Sequence, residues 1–520
     1  MADRLLNRRN ICLGLLVLAT CAVFLAAHAG YPGVPSAAET GGWRDWNDQG
    51  LYLRASQAWQ AGNFSKSEHW YPPGYPLVAS VFSHVTPRDR FLLPDLGCLL
   101  VGLLACTSLA RRLFPRMAWA RCLGAVVFVV ASVGTLAGLK LWLVPWTTTP
   151  AAACILVCLV LVLRLSERPG WVRAVAAGAA LGAITLFRPG DVMPVAVASA
   201  VVMVPVLWRM GFVRASAVVA SAFVAFACLV GASYGLIAAT TGFGPDTYYG
   251  QSAVTGFEWR LLPLRFVTLV LDPRPLLDGV GAERGDPGQH RGLAEVFVWM
   301  LPGLAAGVAL CASRRARVVH VLLAVWAAGH LALLLCYRDL HILGFWPYGN
   351  THYFKATQPV LLLLAVAFGV GLVDRSVRWR EIGVAVLALA GLSCWRAELV
   401  PGAAAAPGSI GDLSRVDRVA IVDGHGNWAA FYSGAHGLRI GGVAFHHNDD
   451  FKIYPRAHDF LVVPLRPLPS GEAVLTTDGG ITRGAAPAVQ ARQVVVFGLP
   501  CLFGLAGDRV CGHLGAPVIE

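Results

Sequence analysis

Charge is scarce in this chain. Only 14% of its 520 residues are Asp, Glu, Lys or Arg, against roughly a quarter in a soluble domain. Lysine is the scarcest of these: Lys66, Lys140, Lys355 and Lys452 are four among 42 basic residues, the rest being Arg. The acids number 30, which leaves a net charge of +12. No glycine-rich phosphate loop, nucleotide-binding signature or internal repeat is present. These lacks exclude an ordinary cytosolic enzyme, fit a donor activated on a lipid rather than a nucleotide sugar, and give no support to an inverted-repeat transporter. Nucleic acid is excluded as a partner as well, because the basic residues neither form one block nor alternate with exposed aromatics.

What the chain does have is apolar length: it is 56% hydrophobic, with a mean hydropathy of +0.60. Stretches of about 20 apolar residues cross a hydrocarbon core. They fall at 11–29, 91–110, 118–139, 142–163, 172–187, 192–208, 213–238, 294–312, 318–336, 357–373 and 382–399. The expected fold class is an all-α polytopic membrane protein of about eleven transmembrane helices. Every second short loop is basic: Arg4 to Arg9, Arg111 to Arg121, Arg164 to Arg173, Arg209 and Arg214, Arg314 to Arg317, Arg375 to Arg380. That alternation puts the N-terminus inside and everything after residue 400 outside. The location implied is the plasma (inner) membrane of a bacterium. Residues 1–29 also fit a cleaved signal peptide, with a basic start and an Ala27-His28-Ala29 site. Cleavage would leave the remaining topology unchanged.

Three long segments fall outside: 30–90, 239–293 and 400–520. The last changes composition, with short runs such as Arg418–Val422, Phe460–Leu465 and Gln493–Phe497 between Gly, Pro and Asp turns. It is expected to be a small β-rich exported C-terminal domain, with 1–399 as the membrane domain. Its two cysteines, Cys501 and Cys511, either form a bridge or stay as buried thiols.

Polar content is densest in the first outer segment, from Trp43-Arg44-Asp45-Trp46-Asn47-Asp48 to Tyr52, and again at Trp70-Tyr71-Pro72-Pro73-Gly74-Tyr75-Pro76. Asp45 and Asp48, three apart before the amphipathic run Leu51–Trp59, would share a face at a helix start. Either could equally cap that helix. The prolines predict an extended, stiff return to the membrane over Tyr71–Pro76.

With Asp48 four residues before Tyr52, a Pro-Pro turn after it, a second long outer segment after the seventh span and an exported tail, the sequence resembles the polyprenyl-phosphate-sugar-dependent glycosyltransferases of the GT-C fold. That superfamily includes protein O-mannosyltransferases, the lipid A aminoarabinose transferase and mycobacterial arabinosyltransferases. The resemblance implies a GT-C-like catalytic domain over 1–399, with 30–90 and 239–293 forming its cavity. It implies inverting transfer of a hexosyl or pentosyl unit from a polyprenyl-phosphate donor to an acceptor hydroxyl on a lipid, glycan or protein. Many relatives carry an adjacent acidic pair in the first segment. Here Asp48 is followed by Gln49 and the other acid is Asp45. Some relatives bind a divalent metal and others do not, so no cofactor is assigned.

The chemistry needs a base and a cradle for the departing phosphate. A partly desolvated carboxylate can take the acceptor proton, which makes Asp48 the candidate base with Asp45 as helper. Positioned cations stabilise the leaving phosphate. Four basic residues defy the orientation rule by sitting in short outer loops: Lys140, Arg188, Arg338 and Lys355. Snorkelling accounts for such residues too. Arg188 and Lys355, the latter in His352-Tyr353-Phe354-Lys355, are the stronger candidates for lipid-phosphate binding, with His352, Tyr353 and Arg260 beside them. Tyr52, Tyr71, Trp46 and Trp70 are candidates to line the substrate cavity. Asp95 reads as an interfacial residue, and His446-His447 with Asp449-Asp450 as a solvated turn. Two other functions share these features: a glycan ligase or polymerase using a polyprenyl-pyrophosphate donor, and a lipid or glycan transporter.

Overall fold

A computed structural model of the chain describes residues 2–30, 47–86, 89–134, 136–245, 247–271, 293–337 and 350–373, with five short strands between 419 and 497. In hydrocarbon each backbone N–H and C=O has to be satisfied within its own segment, and the apolar stretches fold as helices. In chain order these are α1 (Ala2–Gly30), α2 (Asn47–Gln60), α3 (Gly74–Phe82), α4 (Leu92–Leu113), α5 (Ala120–Ser132), α6 (Leu136–Leu143), α7 (Thr148–Glu167), α8 (Trp171–Ala183), α9 (Val192–Met210), α10 (Phe212–Ala239), α11 (Tyr248–Thr255), α12 (Met300–Ala312), α13 (Val318–Cys336) and α14 (Thr357–Val373).

Among the described residues, six helical spans are long and apolar enough to cross a membrane: Arg8–Ala29, Leu92–Leu113, Thr148–Glu167, Pro189–Met210, Phe212–Ala239 and Val318–Cys336. Four shorter apolar helices, Ala120–Ser132, Trp171–Leu186, Met300–Ala312 and Thr357–Leu372, lie among them. The protein is an all-α, multi-pass membrane protein. The expected span at 382–399 lies outside the described residues.

Two boundaries differ from the sequence reading. The stretch 118–139 is not one helix, because α5 ends at Ser132 and α6 begins at Leu136. The next span opens at Thr148 rather than 142. Pro145 accounts for the displacement, since it pushes Val144 out of the α region. Pro150 is tolerated because the first turn of a helix needs no internal N–H donor. A third correction concerns Tyr71–Pro76. Pro73 is already helical (φ −72, ψ −19) and α3 starts at Gly74, so the extended return stops there. Pro76, in the first turn of α3, obstructs nothing.

Close packing depends on small residues where backbones meet. On α8, a Cβ added at Gly178 would strike the carbonyl of Ala222 on α10, and one at Gly182 would lie 2.9 Å from the Phe226 carbonyl. The main core runs through α4, α5, α7, α12, α13 and α14. A second apolar cluster sits beneath the first outer segment and holds Tyr52, Tyr75, Phe91, Val144, Trp146 and Phe187. His28 Nε2 at the end of α1 lies 2.7 Å from Asp89 Oδ2. The neighbouring Arg90 donates to the Ser56 carbonyl at 3.3 Å, bracing α2.

In the tail the described residues are Val419–Val422, Trp428–Gly434 and Gly437–Gly441, paired antiparallel, and a second pair, Phe460–Val462 with Val495–Phe497. These strands alone do not make the expected domain. Cys501, Cys511, His446, His447, Asp449 and Asp450 lie outside the described residues.

Candidate active site

Asp48 sits in the first turn of α2, where the helix dipole favours an acid. Tyr52 and Leu53 of the helix belong to the second core and Ala55 and Ala58 are buried with them, while Gln60 is exposed. The carboxylate Oδ1 accepts the Tyr71 hydroxyl at 2.6 Å. Burial pushes the Asp48 carboxyl up to about 6, and the Tyr71 hydroxyl partly opposes that rise. The Tyr52 and Tyr71 ring centroids are 4.8 Å apart, and Tyr71 and Tyr248 are 5.1 Å apart. Burial first, then the Asp48 charge, holds both the Tyr52 and Tyr71 hydroxyls well above the ordinary phenol range. Both remain neutral, and Tyr71 is the donor to Asp48.

Arg188 follows the 3-10 turn Ile184–Leu186 that ends the α8 region. Its Nε lies 3.1 Å from Asp191 Oδ2, and its guanidinium carbon lies 4.4 Å from the Tyr353 ring centroid. Burial pulls its pKa down, but Asp191 and then Tyr353, Tyr248 and Tyr52 outweigh it and raise the group. It stays charged. Asp191 Oδ1 is 3.9 Å from His330 Nε2, and His330 Nδ1 lies 2.8 Å from the Thr357 hydroxyl.

The third part is the 3-10 turn Asn350–Phe354 and the lysine after it. His352 stacks on Trp146 with centroids 3.8 Å apart, and its Nδ1 is 2.9 Å from the Thr148 hydroxyl. Burial, then Lys355 and Arg188, keep this imidazole well below its ordinary pKa and therefore neutral. Its Nε2 is buried without a hydrogen-bond partner, which is the kind of orphan that a bound polar group resolves. Lys355 donates from Nζ to the Thr149 hydroxyl at 2.5 Å and faces the Trp142 ring at 5.6 Å. Burial brings Lys355 down to about 7, against the opposing charge of Asp95.

The tyrosines link the sides. The Asp48 charge acts on Tyr52, Tyr52 acts on Arg188, and Tyr353 acts on both Tyr52 and Arg188. So Asp48, Tyr52, Tyr71, Arg188, His352, Tyr353 and Lys355 lie in one cluster. Asp45 and Trp46 lie outside the described residues, as do Trp43, Arg338 and the side chain of Lys140. Trp70 is half-buried. Arg260 is exposed and lies over its neighbour Trp259 at 5.8 Å, with no described contact to the cluster. Arg265 is buried and donates to the Leu335 carbonyl at 3.3 Å, so it braces α13. Asp95 is not interfacial but buried, accepting the Tyr75 hydroxyl at 2.7 Å. Among the described residues no group of three or more His, Cys, Asp or Glu is placed to hold a metal ion.

Several participants were missed: Gln49, Trp146, Thr147, Thr148, Thr149, Asp191, Tyr248 and His330. A signal existed for some of them. Asp191 is an acid three residues from a basic residue at a span end, and His330 lies inside a span, where an ionisable residue is costly unless used. The Trp146-Thr147-Thr148-Thr149 run interrupts an apolar stretch.

No family model and no curated protein matches the chain. Solved structures do. ArnT from Cupriavidus metallidurans bound to undecaprenyl phosphate is similar at 17% identity and a TM-score of 0.45, over 73% of this chain. Arabinosyltransferase EmbB from Mycobacterium smegmatis follows at 16% identity and a TM-score of 0.37, over 74% of this chain. The Archaeoglobus fulgidus oligosaccharyltransferase, in complex with Zn and sulfate, has 15% identity and a TM-score of 0.37 over 74% of this chain. All three are GT-C fold glycosyltransferases. The chain spans 63% of the ArnT structure's length, 37% of EmbB's and 53% of the oligosaccharyltransferase's. At such identities and TM-scores no residue role transfers, and each role rests on the geometry above.

Proposed function

We propose that the protein is an inverting membrane glycosyltransferase that moves a sugar from a polyprenyl-phosphate donor to an acceptor hydroxyl. One observation carries this reading. A buried carboxylate raised to about 6, Asp48, shares a tyrosine-walled cluster with a permanently charged guanidinium, Arg188. A group poised between protonated and free at neutral pH suits a general base, and a fixed cation suits a leaving phosphate.

Asp48 takes the proton of the acceptor hydroxyl on Oδ2, while Tyr71 occupies Oδ1. The freed oxygen attacks the anomeric carbon from the face opposite the phosphate. The bond from that carbon to the phosphate oxygen breaks, its electron pair leaves with the polyprenyl phosphate, and the sugar inverts. Arg188 and Lys355 take up the charge that develops on the phosphate, and the neutral His352 offers Nε2 to it. The reaction runs at the outer face of the plasma membrane, with the tail after residue 400 on the same side. Asp45 as helper to the base, Trp46 as a substrate-cavity residue and Arg260 as a phosphate ligand complete the proposal on their sequence positions alone.

The test compares purified wild type with Asp48→Asn on a panel of polyprenyl-phosphate sugars. Asp48→Asn should lose transfer by about 10²–10⁴-fold while retaining binding of the donor lipid. Transfer at the wild-type rate by Asp48→Asn would remove Asp48 as base, and no transfer by wild type from any donor would remove the transferase reading.

A further inference from the structure

The connection from α6 to α7 touches both the Asp48 part of the site and the His352–Lys355 part. Gln49 Nε2, beside Asp48, donates to the Pro145 carbonyl at 2.8 Å. The Tyr52 hydroxyl is hydrogen-bonded to Thr147. Thr148 meets His352, and Thr149 meets Lys355. Successive residues at a helix start point about 100° apart, so three hydroxyls in a row fan out to three separate neighbours. Residues 147 to 149 are all buried, at 7%, 3% and 0% exposure, and a buried hydroxyl without a partner is costly. Four threonines elsewhere behave differently, although Thr241 and Thr357 also reach other elements. Thr20, Thr107, Thr185 and Thr240 return their hydroxyls to carbonyls of their own helices.

We infer that Pro145–Thr149 is the positioning segment of the transfer site, with Thr147 setting Tyr52, Thr148 setting His352 and Thr149 setting Lys355, so that one turn of backbone fixes the base side and the phosphate side against each other. The inference rests on the glycosyltransferase reading for its meaning, but the geometry can be read without turnover. Lys355 is the sensitive reporter. It is faced by Asp95 and Cys98 of α4 and by Arg188 and His352. A hydroxyl that accepts from its ammonium favours the charged form. Removing that hydroxyl therefore lowers the pH at which Lys355 loses its proton, and activity that needs the cation is then lost at lower pH.

The experiment uses the full chain in detergent, with ¹³C-labelled lysine incorporated during expression. Only four lysines contribute resonances, and Lys355→Arg assigns the one in question. Wild type, Thr149→Ser and Thr149→Val are titrated by NMR and assayed for transfer across pH, with Thr149→Ala replacing Thr149→Val if the latter does not fold. The Lys355 midpoint should fall in Thr149→Val and hold in Thr149→Ser. The alkaline limb of kcat/KM should move with it, and kcat/KM should drop about tenfold, the size of one charge-assisted hydrogen bond. An unchanged midpoint in Thr149→Val would overturn the positioning role. A shifted midpoint in a protein that transfers no sugar would uphold the positioning of Lys355 and overturn the glycosyltransferase reading instead.

Discussion

Asp48 and Lys355 titrate towards each other from opposite ends of the scale. Burial raises the carboxyl to about 6 and lowers the amine to about 7. The base works when deprotonated, so its contribution is present above about 6 and lost as pH falls through that value. The cation works when protonated, so its contribution is present below about 7 and lost as pH rises through it. The kcat/KM profile should therefore be a narrow bell with its maximum between these limits. Arg188, held charged beside Asp191, adds no limb of its own. Tyr71→Phe separates the two sides. It removes the hydroxyl that holds the Asp48 pKa down, so the acid limb should move to higher pH while the alkaline limb stays. A pH–rate series on that variant with an unmoved acid limb would show that Asp48 is not the group seen in the kinetics.

At the level of elements, the site depends on α3 seating against the end of the α8 region. A Cβ on Gly74 would lie 2.5 Å from the Leu186 carbonyl, two residues before Arg188. Backbone cannot yield as a flexible side chain does, so Gly74→Ala should displace α3 and cost roughly 1–3 kcal/mol. Thermal unfolding in detergent reads this, with Gly97→Ala as the comparison, because a Cβ there meets nothing within 4 Å. Equal melting of the two variants would mean that the α3 contact is slack. Elements of this kind were legible in the sequence to different depths. Leu51–Trp59 was readable as α2 because its apolar spacing needs no partner to be recognised. Arg188 and Lys355 stood out by breaking the charge alternation of the loops. The threonines at 147 to 149 interrupt an apolar stretch but carry no charge, and their partners lie up to 206 residues away. Only the packed structure brings them together. Pro73 misled for a local reason: prolines also suit the first turn of a helix, and here they open α3.

On the scale of the whole molecule, the two ends of the bundle separate cleanly by chemistry. The candidate site draws on 48–71, 146–149, 188–191, 248 and 352–355, each joined to the next through an even number of expected spans. The basic loops meet at the other end. Arg317 donates to the carbonyls of Arg112 and Leu113 at 3.0 and 2.6 Å, and Arg112 pairs with Glu167 at 2.7 Å. Two sets of loops that converge separately are what alternating spans require, and the positive-inside rule predicts the basic set on the cytoplasmic side. Alkaline phosphatase, which folds only after export, gives the orientation directly. Fusions ended at residues 65 and 243, in the segments that form the site, should be active, and fusions ended at 168 and 314 should be inactive. The opposite pattern would turn the molecule over, put Asp48 and Arg188 on the cytoplasmic side and require a donor presented there. Activity at all four positions, or at none, would break the alternation itself and with it the pairing of spans on which the shared site depends.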